Sequence, residues 1–142
     1  MKNDIYKTVQ VLEKNKETSL LINVLDTRKT VEKLNNSLIS IDNILKAPTC
    51  RKPQYGGLFH QNNNDYKALI TQFSRKIEGE HATHNIELQR QEFHLNKQAS
   101  RTKLIETIID KRNKNKIRIK SEQEQSRLSD MLSVTGQRSI FK

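Results

Sequence analysis

The sequence predicts an all-α protein, an antiparallel two-helix coiled coil (an α-hairpin) in which the C-terminal helix is the longer one. Three observations lead to this fold class. The 142 residues contain only 4 glycines and 2 prolines, so long tracts of helix-forming residues are uninterrupted. Apolar residues recur at alternating spacings of three and four, as in a coiled coil. Four of the six Gly and Pro residues fall between positions 47 and 62, which predicts a single bend in one hairpin formed by residues 1–142.

Helix 1 is predicted over about residues 4–46. Its seam between Leu20 and Leu45 follows spacings of three and four, with Thr27 as the one polar member. The full seam is Leu20, Val24, Thr27, Val31, Leu34, Leu38, Ile41 and Leu45. Three upstream apolar residues keep the spacing but lie one position out of phase: Ile5, Val9 and Leu12. We therefore expect the polar stretch 13–19 to absorb a slip in the coil.

The hinge is predicted over residues 47–62, where proline and glycine interrupt the helical pattern. Pro48 and Pro53 cannot donate backbone hydrogen bonds and disfavour helix in the residues before them, while the pair Gly56-Gly57 permits positive φ. Helix 2 is expected over about residues 63–134. A tail of residues 135–142 follows, because Gly136 favours a helix end.

Helix 2 also has a predicted seam, and its middle part is polar. The seam begins with Tyr66, Ile70, Phe73 and Ile77. It continues as His81, His84, Leu88, Gln91, Leu95, Gln98, Thr102, Ile105 and Ile109. The two successive steps of four around Ile77 predict a stutter in the coil.

The net charge of +10 is concentrated towards the C-terminus, where residues 101–142 carry 11 bases and 5 acids. The segment KRNKNKIRIK, residues 111–120, has six bases and no acid. In a hairpin, helix 2 would extend beyond the end of helix 1 from about residue 101. The basic segment would then have no intramolecular partner. The arrangement favours docking on an acidic protein surface, because complementary potentials orient and accelerate association. The residues expected to make this contact are Lys111, Arg112, Lys114, Lys116, Arg118 and Lys120.

The basic segment has two other candidate partners, nucleic acid and an anionic membrane. Nonspecific nucleic-acid binding through phosphates remains a second hypothesis, since six bases on about three helical turns can release counterions. The segment lacks aromatic residues for base stacking, and too few heptads follow it for a basic-zipper dimer. A membrane-surface helix requires an apolar face, whereas Ile117 and Ile119 are two positions apart on different faces.

Catalysis, cofactor binding and metal binding are not expected. No phosphate-binding loop, dinucleotide fingerprint or CxxC pair occurs. His81 and His84 lie beside Glu78 and Glu80 at a spacing that could hold a metal ion, but no further ligand has a recognisable spacing. Cys50 has basic neighbours and no sequence partner that marks it as a nucleophile. With one cysteine and no apolar stretch long enough for a signal or a membrane span, the sequence predicts a soluble cytoplasmic protein.

Aromatic residues cluster near the hinge and offer a second candidate interface. Four of the seven aromatics, Tyr55, Phe59, Tyr66 and Phe73, fall within nineteen residues. They could pack together as the tip of the coiled coil, or anchor a partner, since aromatic side chains are favoured at interfaces.

This layout resembles the central-stalk proteins of type III secretion and flagellar export, the FliJ/YscO type. The resemblance lies in length, basic charge, an early hinge, a longer second helix and the segment GLFHQNNNDYKALITQFSRKI, residues 57–77. The two prolines and the glycine pair make the hinge longer than a minimal coiled-coil turn requires.

The resemblance implies a non-catalytic stalk in the pore of a hexameric secretion ATPase, where the six basic residues of 111–120 meet its acidic inner surface. It further implies contact with an export-gate protein through Tyr55, Phe59, Tyr66, Phe73 and Ile77, with secretion chaperones as a further candidate partner. Nucleic acid would not be a partner, and the membrane would be reached only through the apparatus, at its cytoplasmic face. An export chaperone is a third functional hypothesis for the chain.

Overall fold

The protein is all-helical in a computed structural model that describes residues 2–48 and 56–140, and the side chains of 5–48 and 56–137. Helix α1 spans Lys2–Lys46 and helix α2 spans Gly57–Ile140. The two helices pack against each other, and no strand occurs in the described parts of the chain. The predicted start and end of the first helix agree with α1 to within two residues.

Helix α2 is longer at both ends than the sequence predicts. It begins at Gly57, six residues before the expected start, and its first turn includes a 3.0 Å hydrogen bond from the Phe59 N–H to the Gly56 carbonyl. No proline follows Gly57, and neither described hinge glycine has a positive φ, so nothing in 57–62 interrupts the helix. The expected tail is also helical through Ile140, because the helix tolerates Gly136 at a cost of about 1 kcal/mol.

The contacts between residues divide the chain into two compact units. Unit 1 comprises Met1–Lys14 and Ala99–Lys142, and unit 2 comprises Asn15–Gln98. Each unit therefore contains a part of α1 and a part of α2. Residues 49–55, including Cys50, Pro53 and Tyr55, lie outside the described residues.

Unit 2 has a mainly aliphatic seam on α1. Val24, Ile41 and Ile77 are buried, with Val24 only 2% exposed. The seam predicted for α1 is confirmed at every position from Leu20 to Leu45, each of which is buried or half-buried. On α2, the predicted positions from Ile77 to Gln98 are likewise buried or half-buried.

The start of the predicted α2 seam is wrong. Tyr66 and Phe73 are exposed, and Lys67 and Ser74 take the seam positions instead. Spacings of three and four then run without interruption from Lys67 through Ile77 to His81, so the expected stutter is absent. A regular repeat keeps the aliphatic residues of α1 against α2, and the alkyl stem of a lysine can cover apolar surface while its ammonium group reaches water.

Unit 1 has a polar seam. Glu13 and Thr102 are buried, and Gln10, Ile105 and Ile109 are half-buried beside them. The slip predicted for residues 13–19 is therefore absent, because Gln10 and Glu13 continue the regular spacing of the downstream seam. As a result the three upstream apolar residues stay outside the seam and are exposed: Ile5, Val9 and Leu12.

Candidate partner-binding surfaces

The basic segment, residues 111–120, is exposed along its entire length on α2. The six predicted contact residues, Lys111, Arg112, Lys114, Lys116, Arg118 and Lys120, are therefore all accessible to a partner. At 1.5 Å per residue they occupy about 15 Å of helix. Because like charges this close repel one another, an acidic partner would relieve an unfavourable interaction as well as form new ones.

The prediction that α2 has no intramolecular partner beyond about residue 101 is wrong, because Arg101, Glu106 and Arg112 contact side chains of α1. Two of the six basic residues have partners that the structure describes. The Arg112 guanidinium lies over the Tyr6 ring, 4.2 Å from its centroid, in a cation–π contact between α2 and α1. Arg118 pairs with Glu122 one turn further along α2, at 3.4 Å. Lys111, Lys114 and Lys120 form no ion pair with any side chain that the structure describes. These three lysines are exposed cations that an acidic partner could pair with.

The predicted aromatic interface is partly exposed and partly internal. Phe59, Tyr66 and Phe73 are 43%, 53% and 58% exposed on α2. Ile77 is 8% exposed and belongs to the seam of unit 2, so its assignment to an interface is wrong in this structure. Tyr55 lies outside the described residues.

Leu69 is an exposed neighbour of these aromatics that the sequence reading missed. It follows Tyr66 by three residues and precedes Phe73 by four, so the three side chains share one face of α2. Apolar residues at i, i+3 and i+7 are the usual anchors of a helix that inserts into a hydrophobic groove. The spacing was visible in the sequence but was hidden by the assignment of Tyr66 and Phe73 to the seam.

Two ion pairs join α1 and α2 within unit 1. Arg101 pairs with the buried Glu13 at 3.4 Å, and Lys14 pairs with Glu106 at 2.8 Å. The hydrogen bond from Lys14 and its charge lower the pKa of Glu106, with a smaller contribution from Gln10. These contacts pair Glu13 and Glu106 with bases outside the basic segment.

An apolar groove of about 450 Å³ lies between α1 and α2 in unit 1. The sequence reading missed it because the apolar residues near the N-terminus were expected to pack in a shifted seam. The groove is lined by Ile5, Tyr6, Val9, Ile105, Ile108, Ile109 and Arg112. No acidic residue is among its lining residues.

The two histidines considered as metal ligands occupy seam positions in unit 2. His81 and His84 are half-buried, and the Asn85 side-chain nitrogen lies 3.3 Å from Nδ1 of His81. Among the described residues, no group of three or more His, Cys, Asp or Glu side chains is arranged to hold a metal ion. Within the same residues, neither helix has a stretch that is long and apolar enough to cross a bilayer.

The comparisons with known proteins found no match: no family model fits the chain, and no curated protein or solved structure is significantly similar to it.

Proposed function

We propose that the protein is a non-catalytic central stalk of a type III secretion system. In this proposal the chain is an antiparallel coiled-coil hairpin with a longer C-terminal helix, and it links the pore of a hexameric secretion ATPase to the export gate. The pairing of Tyr6 with Arg112 and of Lys14 with Glu106 supports antiparallel order in unit 1. The interhelical contacts of Thr27 with Gln91 and Arg28 with Glu92 join the helices in unit 2.

The observation that carries the proposal is the full exposure of residues 111–120. A helix with six cations and no acid is suited to an acidic socket, and the pore of a ring offers such a socket on all sides. The docking is electrostatic, so association should be fast at low salt and should weaken as salt increases.

The exposed anchors of unit 2 supply the second contact in this proposal. Tyr66, Leu69 and Phe73 would bind an apolar groove of the export-gate protein, with Phe59 beside them. Their large apolar surfaces are accessible, and burial of such surfaces is the usual source of affinity at an interface.

Charge reversal in the basic segment tests the proposal. The variant Lys114→Glu, Lys116→Glu and Arg118→Glu should lower the association rate with the secretion ATPase of the same organism by about tenfold or more at low salt. It should also reduce any stimulation of ATP hydrolysis. The matched control reverses three exposed lysines of unit 2, namely Lys29, Lys33 and Lys76. This control has the same net charge as the test variant and should bind the ATPase almost as well as the parent.

Two results would contradict the stalk proposal. One is ATPase binding that is unchanged in the test variant. The other is strong, salt-sensitive DNA binding by the parent that disappears in the test variant and persists in the control, since this would assign the basic segment to nucleic acid.

A further inference from the structure

From the apolar groove of unit 1 we infer a second binding site, one that takes an acidic amphipathic helix from another protein. The inference does not depend on the identity of the ring or of the gate. It rests on the exposed apolar residues, on their spacing along two helices, and on the charges beside them.

Apolar side chains from both helices form the floor and walls of the groove. Val9 on α1 and Ile108 on α2 line it, and both remain substantially exposed, at 37% and 45%. Ile5 extends the apolar surface on α1, one turn before Val9. A surface of this kind loses contact with water when a third helix covers it, which is a favourable change.

The same faces of the two helices continue beyond the groove. Leu12 follows Val9 by three residues, and Leu104 precedes Ile108 by four, so both lie on the groove-facing surfaces of their helices. Both side chains are more than half exposed. The apolar strip therefore extends over about two turns of each helix, which matches the i, i+3 and i+7 anchors of one bound helix.

The charges beside this strip are basic. Arg112 lines the groove, and Lys111 follows Ile108 by three residues, on the same face of α2. Arg101 also lies on that face, seven residues before Ile108, but it is paired with Glu13, so Lys111 and Arg112 supply the charge beside the groove. The nearby acid Glu106 is engaged with Lys14. A helix with aspartate or glutamate flanking its apolar stripe therefore complements the groove in charge as well as in shape.

The same charges disfavour a second copy of the chain as the occupant. Residues 101–142 carry 11 bases against 5 acids, so two such regions repel each other. The residues of α2 that follow the groove are not available either, because α2 continues as a helix to Ile140 and does not fold back onto the groove.

A labelled peptide tests the site with the full-length protein. The probe is a fluorescein-labelled peptide of three heptads, with leucine at the first and fourth positions, glutamate at the fifth and seventh, and alanine and glutamine elsewhere. Its counterpart carries lysine in place of glutamate. Fluorescence anisotropy at low salt should show saturable binding of the acidic peptide, and the lysine peptide should bind at least about tenfold more weakly.

Variants locate the bound peptide on the groove. Ile108→Asp and Val9→Asp, made separately, should each raise the dissociation constant of the acidic peptide by about tenfold or more. Leu128→Asp is the matched control, because Leu128 is an exposed leucine on α2 outside the groove, and it should leave the dissociation constant unchanged. Circular dichroism checks that all three variants keep the helical content of the parent. The two groove positions are tested separately so that one variant remains informative if the other fails to fold.

Four outcomes would overturn the inference. The two peptides could bind equally well, or the groove variants could bind like the control. The parent could form a dimer that Ile108→Asp dissociates, which would give the groove to a second copy. Finally, phosphatidylglycerol vesicles could bind the parent and lose that binding in the Ile108→Asp variant, which would assign the groove to a membrane surface. Failure of the stalk proposal alone, with normal peptide binding, would leave this site in place.

Discussion

The two units of the chain are built from the same two helices, but the most deeply buried residues of their seams differ in kind. Unit 2 buries aliphatic residues, with Val24, Ile41 and Ile77 at its centre. Unit 1 buries Glu13 and Thr102, and its apolar side chains near the N-terminus remain exposed. The buried seam positions are therefore aliphatic in unit 2 and polar in unit 1.

The difference indicates how two packed helices can leave apolar side chains exposed in unit 1. Burial of aliphatic side chains contributes most of the stability that a helix pair can gain. We therefore expect unit 2 to be more stable against unfolding than unit 1. Unit 1 relies on Glu13, Thr102 and ion pairs, and a buried charge recovers little free energy after its desolvation cost. Its exposed apolar residues are accessible to a partner, and we expect unit 1 to be the less stable unit.

The largest expected effect is the loss of the aliphatic seam in unit 2. Val24→Asp would place a carboxylate at a position that is 2% exposed. We expect the free energy of unfolding to fall by about 3 kcal/mol or more. Urea denaturation followed by circular dichroism measures this change. Ile22→Asp is the control, since Ile22 is an exposed residue on the same helix, and comparable losses in both variants would argue against an aliphatic seam at Val24.

A smaller effect of opposite sign is expected when the polar seam of unit 1 is made aliphatic. Glu13→Leu removes a buried charge, while its partner Arg101 is largely exposed and can be hydrated. We expect the opening free energy of residues 5–14 to rise by about 1–2 kcal/mol, as measured by native-state hydrogen exchange. Glu122→Leu, at an exposed position, should leave it unchanged. A decrease in the Glu13→Leu variant would mean that the polar seam is the more stable arrangement.

The smallest effect concerns the exposed ion pair between Lys14 and Glu106. Lys14 lowers the pKa of Glu106 in the folded protein, so the pair stabilises unit 1 above the unfolded pKa of this carboxyl. That contribution begins to fall near pH 4.3, the ordinary glutamate pKa, and is lost as the pH falls through the lower folded value. Side-chain carboxyl titration by NMR should show the pKa of Glu106 returning towards its ordinary value in Lys14→Ala. The pKa of Glu106 should stay low in the control variant Lys97→Ala. An unchanged Glu106 titration in Lys14→Ala would exclude Lys14 as the cause of the lowered pKa.

Much of the helical structure could be predicted from the sequence because aliphatic spacing is a direct signal. The seam from Leu20 to Leu45, the end of α1 at Lys46 and the α2 seam beyond Ile77 all followed from it. The sequence also identified residues 111–120 as a segment with six bases and no acid, and these residues are exposed.

The errors arose where polar residues hold seam positions. Gln10, Glu13, Lys67 and Ser74 give no hydrophobic signal, so the nearby apolar residues were assigned to the seam in their place. This wrong assignment led to the predicted slip in α1, the predicted stutter in α2 and the placement of Tyr66 and Phe73 in the seam. Spacing alone could have corrected it, because the phase set by the aliphatic residues extends unbroken through the polar positions. The groove of unit 1 was missed for the same reason.

Native-state hydrogen exchange of the full-length protein tests the contrast between the two units most directly. If unit 2 is held by aliphatic burial and unit 1 by polar contacts, amides of residues 20–45 should exchange at least about tenfold more slowly than those of residues 5–14 after correction for intrinsic rates. Equal protection of the two segments, or slower exchange in residues 5–14, would contradict the account.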